Sequence, residues 1–256
     1  MTRKKKTRFK APEGEFKRLT PDNSVRIAFE AEGKLPVDIG IELPDGRMQP
    51  IVKRGEKIPF RHNEMYSTAA AYQTAVEMHF VVGNRPLAKD NMTIGRVRLR
   101  EIRWSNQGLP MLDVLVGMDG ATLSVGSNNL DRMVDKGAVS DMRERITKQD
   151  IESLIADAQA NECTDEKWRA YIEESDEARL FISEIADVYA AAKKKMTFAQ
   201  KRSHNKTVNR LCKTLNSPIK KLDDGSIEQF RADAAALKES LPHLKTLQSQ
   251  VMGWYR

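Results

Sequence analysis

Residues 35–46 of the chain read LPVDIGIELPDG, and this stretch decides the class of fold. Its apolar residues occupy every second position: they are Val37, Ile39, Ile41 and Leu43. That spacing is typical of a β-strand with one buried face, because successive side chains of a strand point to opposite sides. The Pro-Asp-Gly triplet that follows is typical of a turn. The stretch therefore predicts a half-buried strand that ends in a tight turn.

The same alternation recurs further along the chain. In AVEMHFVVGN (75–84) it covers four apolar positions before Gly-Asn, and in MLDVLVGMDGATLSV (111–125) it occurs on both sides of Asp-Gly. Asp-Gly between two alternating runs is a strong signal for a β-hairpin. Several short strands with turn residues between them predict a compact antiparallel β sandwich.

Glycine and proline divide the chain into two halves. Twelve of the 14 Gly and eight of the 10 Pro lie at or before Gly137, and residues 138–217 contain neither. Both residues disfavour helix interiors, so the second half is predicted to be helical. We expect a basic flexible tail over 1–25, a β-sandwich domain over 26–135 and an α-helical domain over 140–256.

Capping signals divide the helical half further. Thr147 with Asp150 predicts one helix start, Thr164 predicts the start of a long second helix, and Ser226–Gln229 reads as a capping box. Apolar residues at spacings of three and four follow each signal, and this pattern gives amphipathic helices. Such helices bury their apolar faces against one another, so we expect a small bundle.

The quoted strands belong to a longer pattern of motifs. It comprises DIGIE at 38–42, KIP at 57–59, YSTA at 66–69, QTAV at 73–76 and AKDN at 88–91. With the helices behind it, this pattern resembles the substrate-binding domain of the DnaK-type 70-kDa heat-shock chaperones, a β sandwich with a helical lid. The resemblance implies a non-enzymatic, chaperone-like protein whose partner is an unfolded or extended hydrophobic polypeptide.

The resemblance also assigns a peptide-binding site. It implies an apolar pocket for one aliphatic side chain, two residues that arch over the peptide and one polar side chain that bonds its backbone. The residues so assigned are Ile39, Ile41, Leu43, Pro44, Tyr66, Ala69, Gln73, Val76 and Met78. Pro44 and Ala69 would form the arch, and Gln73 would bond the backbone. Periodicity alone favours ordinary core roles for the strand residues.

Two departures from the family concern control. Gln107 and Ala71 stand where the family has an arginine and an acid that help to hold the lid, so the resemblance implies no such polar contact. Only about thirty basic and polar residues precede the match, where the family has a linker and an ATPase domain. We therefore expect no coupling to ATP within this chain, and a separate ATPase chain or co-chaperone is a candidate partner.

The net charge of +7 is unevenly distributed. Residues 1–10 carry six Lys or Arg and no acid, and residues 193–222 carry ten and no acid, which leaves −9 for the rest. The second segment reads either as a solvated helix face or as a contact for an anionic partner. Its candidate contacts are Lys193, Lys194, Lys195, Lys201, Arg202 and Arg210. The alternative function is therefore an interaction module of the same fold that binds a fixed protein partner or RNA.

Residue patterns for catalysis are absent from the sequence. The four histidines are scattered, and no nucleophile motif or phosphate-binding glycine loop occurs, so we expect no enzyme activity, metal or cofactor. No apolar run is long enough to span a bilayer or to form a secretory signal. Cys163 and Cys212 suit free thiols in a reducing compartment, so we expect a cytoplasmic protein without membrane contact.

Overall fold

The structure is a computed structural model that describes residues 24–130 and 138–252. Most of the predicted tail, including its basic first ten residues, lies outside the described residues. The chain divides into two compact units between Asn161 and Glu162. The first unit contains the strands and one helix, and the second contains three helices. This division lies later in the chain than the boundary expected near residues 135–140.

The first unit contains two five-stranded sheets. One sheet has the order β10-β1-β8-β7-β4. Its strands are β1 (Ser24–Phe29), β4 (Phe60–Tyr66), β7 (Leu112–Asp119), β8 (Thr122–Asn129) and β10 (Arg145–Ile146). Neighbouring strands are antiparallel except β1 and β10, which run parallel.

The other sheet has the order β3-β2-β5-β6-β9, and all its neighbours are antiparallel. Its strands are β2 (Ile39–Glu42), β3 (Met48–Val52), β5 (Val76–Val82), β6 (Met92–Leu99) and β9 (Ala138–Ser140). β2 therefore lies between β3 and β5, and this places the opening motif inside the sheet.

One apolar core joins the two sheets. Inward-facing residues of both sheets form a single buried cluster, as expected from the alternating sequence, and the fold class of a β sandwich followed by a helical bundle is confirmed. The predicted hairpin is also confirmed: Asp119 pairs with Thr122, and Gly120 begins the two-residue loop at φ +58°. A positive φ suits glycine because it has no side chain to clash with the backbone.

The first helix, α1 (Lys148–Ala160), packs on the sandwich through Ile151 and Leu154, which belong to the same core cluster. Its predicted cap is confirmed as a full capping box, in which Thr147 accepts from the Asp150 amide and Asp150 accepts from the Thr147 amide. The bonds from Thr147 lower the pKa of the Asp150 carboxyl. Packing on the sheets explains why α1 belongs to the first unit.

The second unit is built from α2 (Glu162–Ala192), α3 (Phe198–Leu215) and α4 (Asp224–Met252). α4 packs against both other helices. The buried apolar residues of α2 are Tyr171, Ala178, Ile185, Val188 and Ala192. Within this unit the Tyr171 and Phe230 rings meet edge to face at 5.3 Å, so aromatic side chains supply part of its core.

The expected start of α4 was wrong. The helix does not begin at a Ser226 cap, because Asp223 accepts the Ser226 amide at 2.7 Å and caps a helix that begins at Asp224. Hydrogen bonds from Ser226 lower the pKa of the Asp223 carboxyl. The helix continues through Pro242 to Met252.

Candidate functional site

Six apolar residues of the predicted peptide-binding site join one cluster, at two depths. Ile39, Ile41 and Met78 are buried inside the sandwich core, at 0, 2 and 5% exposure. Ile41 lies opposite Phe80 in the ladder between β2 and β5, so its neighbours are themselves buried. These three side chains already pack within the core cluster.

The other three apolar residues, Leu43, Tyr66 and Val76, are half-buried and pack against the core from its boundary. Each lies at the end of a strand: Leu43 follows β2, Tyr66 ends β4 and Val76 begins β5. We refer to them as the rim triad. Because they keep part of their surface in solvent, they are the apolar members of the predicted site that a ligand can reach directly.

Tyr66 carries the only phenol of the rim triad. Its hydroxyl donates to Glu64 Oε2 at 2.7 Å, and burial followed by this bond raises the pKa of the phenol. The hydroxyl therefore stays protonated at neutral pH. Since the polar atom already has an acceptor, the ring can offer its apolar face without leaving the oxygen unsatisfied.

The loop between β2 and β3, which holds Pro44, has internal hydrogen bonds. The Leu43 amide donates to Arg47 O at 2.9 Å, and the Gly46 amide donates to Leu43 O at 2.8 Å. Gly46 has φ +92°, which only glycine adopts readily, and Pro44 is exposed at the tip. These bonds fix the loop, so Pro44 has a defined position directly after Leu43.

A second segment supports that loop from outside. The Met48 amide donates to Pro86 O at 2.8 Å, and the Ala88 amide donates to Gly46 O at 3.0 Å. Asn91 organises this segment, because its side-chain amide bonds the carbonyls of Arg85 and Leu87 while its oxygen accepts the Arg85 amide. The hairpin loop therefore rests on a hydrogen-bonded base.

The connection between β4 and β5 holds the predicted site residues Ala69 and Gln73. Gln73 Oε1 accepts the Ala70 amide at 3.3 Å, and Ala69 is exposed. Ser67 donates to Pro110 O at 2.6 Å. Gln73 thus holds its own loop with its oxygen, while its amide nitrogen forms no hydrogen bond to the described residues.

Sequence reasoning missed an aromatic pair in this region. The rings of Tyr72 and Trp104 lie 5.1 Å apart, and the Tyr72 amide donates to Ser105 O at 2.8 Å. Tyr72 has φ +60° and both rings are at least half exposed. The pair joins the two loops that hold Ala71 and Gln107. Two aromatic residues in otherwise polar loops were the signal for it.

The comparison with protein families accounts for the order of these elements. A family model described as Hsp70 protein matches residues 29–249. The chain belongs to the Hsp70 family. The match covers both the sandwich and the helices, so within the Hsp70 family the chain has a chaperone-like fold in which the helical part corresponds to a lid. Unfolded polypeptide is the class of ligand that this membership supports.

The basic residues singled out from the sequence lie in the second unit of this Hsp70-family chain. Lys193, Lys194 and Lys195 are exposed just after α2, and Lys201 and Arg202 lie on the first turns of α3. Arg210 differs from them, because its guanidinium forms two hydrogen bonds to the buried carboxylate of Asp233, at 2.5 and 3.1 Å. Its charge is therefore paired within the helical unit.

The described residues contain no group of three His, Cys, Asp or Glu side chains arranged to hold a metal ion. None of their helices is long and apolar enough to cross a bilayer. Cys163 and Cys212 are free thiols.

Proposed function

We propose that the sandwich unit binds extended apolar polypeptide segments, without enzymatic chemistry, in a channel between the 43–47 loop and the 67–75 loop. The observation that carries the proposal is the rim triad: Leu43, Tyr66 and Val76 are half-buried at the boundary of the core, each at or beside the end of a strand. A chain that crosses this boundary would cover apolar surface already supported from below by Ile41 and Met78.

The energy of binding would come mainly from one buried side chain. Full burial of a Leu or Ile side chain contributes roughly 1.5–3 kcal/mol. Ordering a flexible loop costs part of such a gain, and loops that are already fixed reduce that cost. The internal bonds of the 43–47 loop and the Gln73–Ala70 bond fix these loops in the free protein and therefore lower the entropic cost of binding a peptide.

Polar contacts would give the peptide its direction. The Gln73 side-chain nitrogen can donate to a peptide carbonyl, while its oxygen stays on the Ala70 amide. Pro44 and Ala69 lie exposed on the two facing loops and would close over the chain. Backbone bonds tolerate any sequence, so specificity would rest on the single apolar pocket.

Nucleotide control, in this proposal, comes from a second protein. A separate ATPase chain or a co-chaperone would couple peptide release to ATP. Co-purification of the tagged full chain from its own host would recover such an ATPase. Recovery of apolar client proteins with no nucleotide-binding chain among them would count against this part of the proposal.

Peptide binding is testable by fluorescence anisotropy with a labelled Leu-rich heptapeptide. We expect saturable binding by the wild type, and Val76→Phe should weaken it about 10- to 150-fold by filling the space for the guest side chain. Leu180→Phe is the matched control, because Leu180 is 76% exposed on α2 of the other unit and its replacement should change nothing. Lack of wild-type binding at several hundred micromolar protein would refute the proposal.

A further inference from the structure

One face of α3 is cationic over its whole length. Its cations are Lys201, Arg202, Lys206, Arg210 and Lys213, and α3 contains no Asp or Glu. The last four follow one another at spacings of four, four and three residues, so they share one side of the helix. Lys201 lies about 100° around the helix from Arg202. The stretch from Lys201 to Lys213 is about 18 Å long at 1.5 Å per residue.

A groove runs along this face. Its walls include Tyr189 near the end of α2, Phe198 at the start of α3, and the amide side chains of Asn205 and Asn209 between the cations. Phe198 is 80% exposed. Tyr189 is held in place by His204, whose ring stacks on it at 4.2 Å and 11°. The groove thus combines aromatic surface with positive charge.

Four of the five cations are available to a ligand. Arg210 is bound to Asp233, as described above, and this pair fixes the middle of α3 on α4. In the part of the chain that the structure describes, the side chains of Lys201, Arg202, Lys206 and Lys213 form no ion pair or hydrogen bond. No acid among the described residues neutralises these four charges, so they can bind an external anion.

The distribution of charge indicates the class of anion. Protein interfaces are depleted of charged residues at their centre, whereas nucleic-acid interfaces are strongly positive. Here thirty residues, 193–222, contain ten cations and no acid. A ligand with a regularly repeated negative charge fits this surface better than a folded protein with mixed charges. The exposed Phe198 ring adds a surface on which an unpaired base can stack.

We propose that the α3 groove binds single-stranded nucleic acid, with phosphates on Lys201, Arg202, Lys206 and Lys213 and a base against Phe198. Asn205 and Asn209 lie between the cations and can donate to phosphate or base oxygens. The site is short, so it gives modest affinity that falls steeply with salt. It is separate from the rim triad and does not depend on peptide binding.

The test is anisotropy of the full chain with a labelled 12-nucleotide oligouridylate between 50 and 300 mM KCl. Four phosphate contacts predict a slope of log Kobs against log[KCl] of about −3, since each contact to a single strand contributes about −0.7. Lys206→Met and Lys213→Met should each make the slope shallower by about 0.7. Lys238→Met, an exposed cation of α4 outside the groove, should leave it unchanged.

A second variant separates stacking from charge. Phe198→Ala should weaken oligouridylate binding about 5- to 100-fold at every salt concentration without changing the slope. Equal binding of a 12-residue polyglutamate, or of a 12-base-pair duplex, would overturn the assignment to single strands. So would binding that survives both lysine substitutions but disappears when residues 2–10 are removed, because it would then belong to the basic amino terminus.

Discussion

The two candidate binding surfaces of this chain differ in the type of interaction that each can make with a ligand. The rim triad on the sandwich is apolar, lies between fixed loops and has its one polar atom, the Tyr66 hydroxyl, already bonded. The α3 groove is cationic, and four of its charges have no partner in the described residues. Apolar burial depends weakly on salt and charge attraction depends strongly on it. One salt titration therefore distinguishes the two surfaces.

The largest expected effect, on the free energy of unfolding, distinguishes the fully buried residues of the predicted peptide site from the half-buried rim triad. Ile41→Ala should lower the free energy of unfolding of the sandwich by about 2–5 kcal/mol, because Ile41 is 2% exposed and its truncation leaves a cavity. Leu43→Ala should lower it by about 1 kcal/mol, since Leu43 keeps part of its surface in water. Chemical denaturation monitored by circular dichroism measures both.

The two variants should have the opposite order of effects on peptide affinity. Leu43→Ala should weaken binding of the Leu-rich heptapeptide more than fivefold, while folded Ile41→Ala protein should bind within about twofold of wild type. The comparison would fail if Leu43→Ala left binding unchanged.

The next effect distinguishes the structural cation of α3 from the ones that are free to bind a ligand. Arg210→Met removes the cation that pairs with the buried Asp233 carboxylate and leaves it only the Gln229 side-chain amide, so it should lower the free energy of unfolding of the helical unit by about 1–3 kcal/mol. The expected loss is below that of a fully buried pair because the Arg210 side chain is 47% exposed. Lys206→Met should change stability by less than 0.5 kcal/mol. Thermal denaturation of the two variants compares them directly.

A smaller effect tests the helix that closes the first unit. Thr147→Ala removes the acceptor for the Asp150 amide and should cost about 1 kcal/mol of stability. Thr147→Ser keeps the hydroxyl and should retain most of it. Hydrogen exchange of the first α1 amides reports the change locally, and equal protection in both variants would show that the cap contributes little.

The smallest effect concerns pH. Partial burial of the ring against Tyr189 lowers the pKa of His204 below its usual value, so the folded state resists its protonation. Above the ordinary histidine pKa of about 6.5 the ring is neutral in both the folded and the unfolded state, and the folded protein keeps its full stability. As pH falls below that value the unfolded state takes up the proton first, so the free energy of unfolding decreases until the pH reaches the lower pKa of the folded state. The difference in Tm between pH 7.5 and pH 5 should therefore be smaller in His204→Gln than in wild type. An identical difference would contradict this role.

Local patterns in the sequence predicted most of the fold. Alternation found β5 and β7, and the Thr147 capping box was correct, because each rests on contacts within a few residues. The Ser226 cap failed because Asp223, three residues earlier, offers the same kind of acceptor and extends the helix. Pro242 lies inside α4 although proline has a low helix propensity, so packing along the helix outweighs the local preference there.

The sequence could not predict how deeply each apolar residue is buried or which charged residues pair with one another. Alternation places Ile41 and Leu43 on one face equally well, and only the packing of both sheets separates the buried residue from the half-buried one. In the same way, the run of ten cations gave no sign that Arg210 is bound to Asp233. The stacked Tyr189 also joins Phe198 in one groove only because α2 and α3 are neighbours.

The central claim is that a guest peptide lies on the rim triad. A heptapeptide whose central leucine is replaced by photo-leucine, cross-linked to the full chain and located by mass spectrometry, tests it most directly. We expect the peptide to be cross-linked within residues 43–47 and 66–76. Unlabelled peptide should compete, and the cross-linking yield should change little between 50 and 300 mM KCl. Attachment concentrated on α3, or spread over the surface without competition, would contradict it.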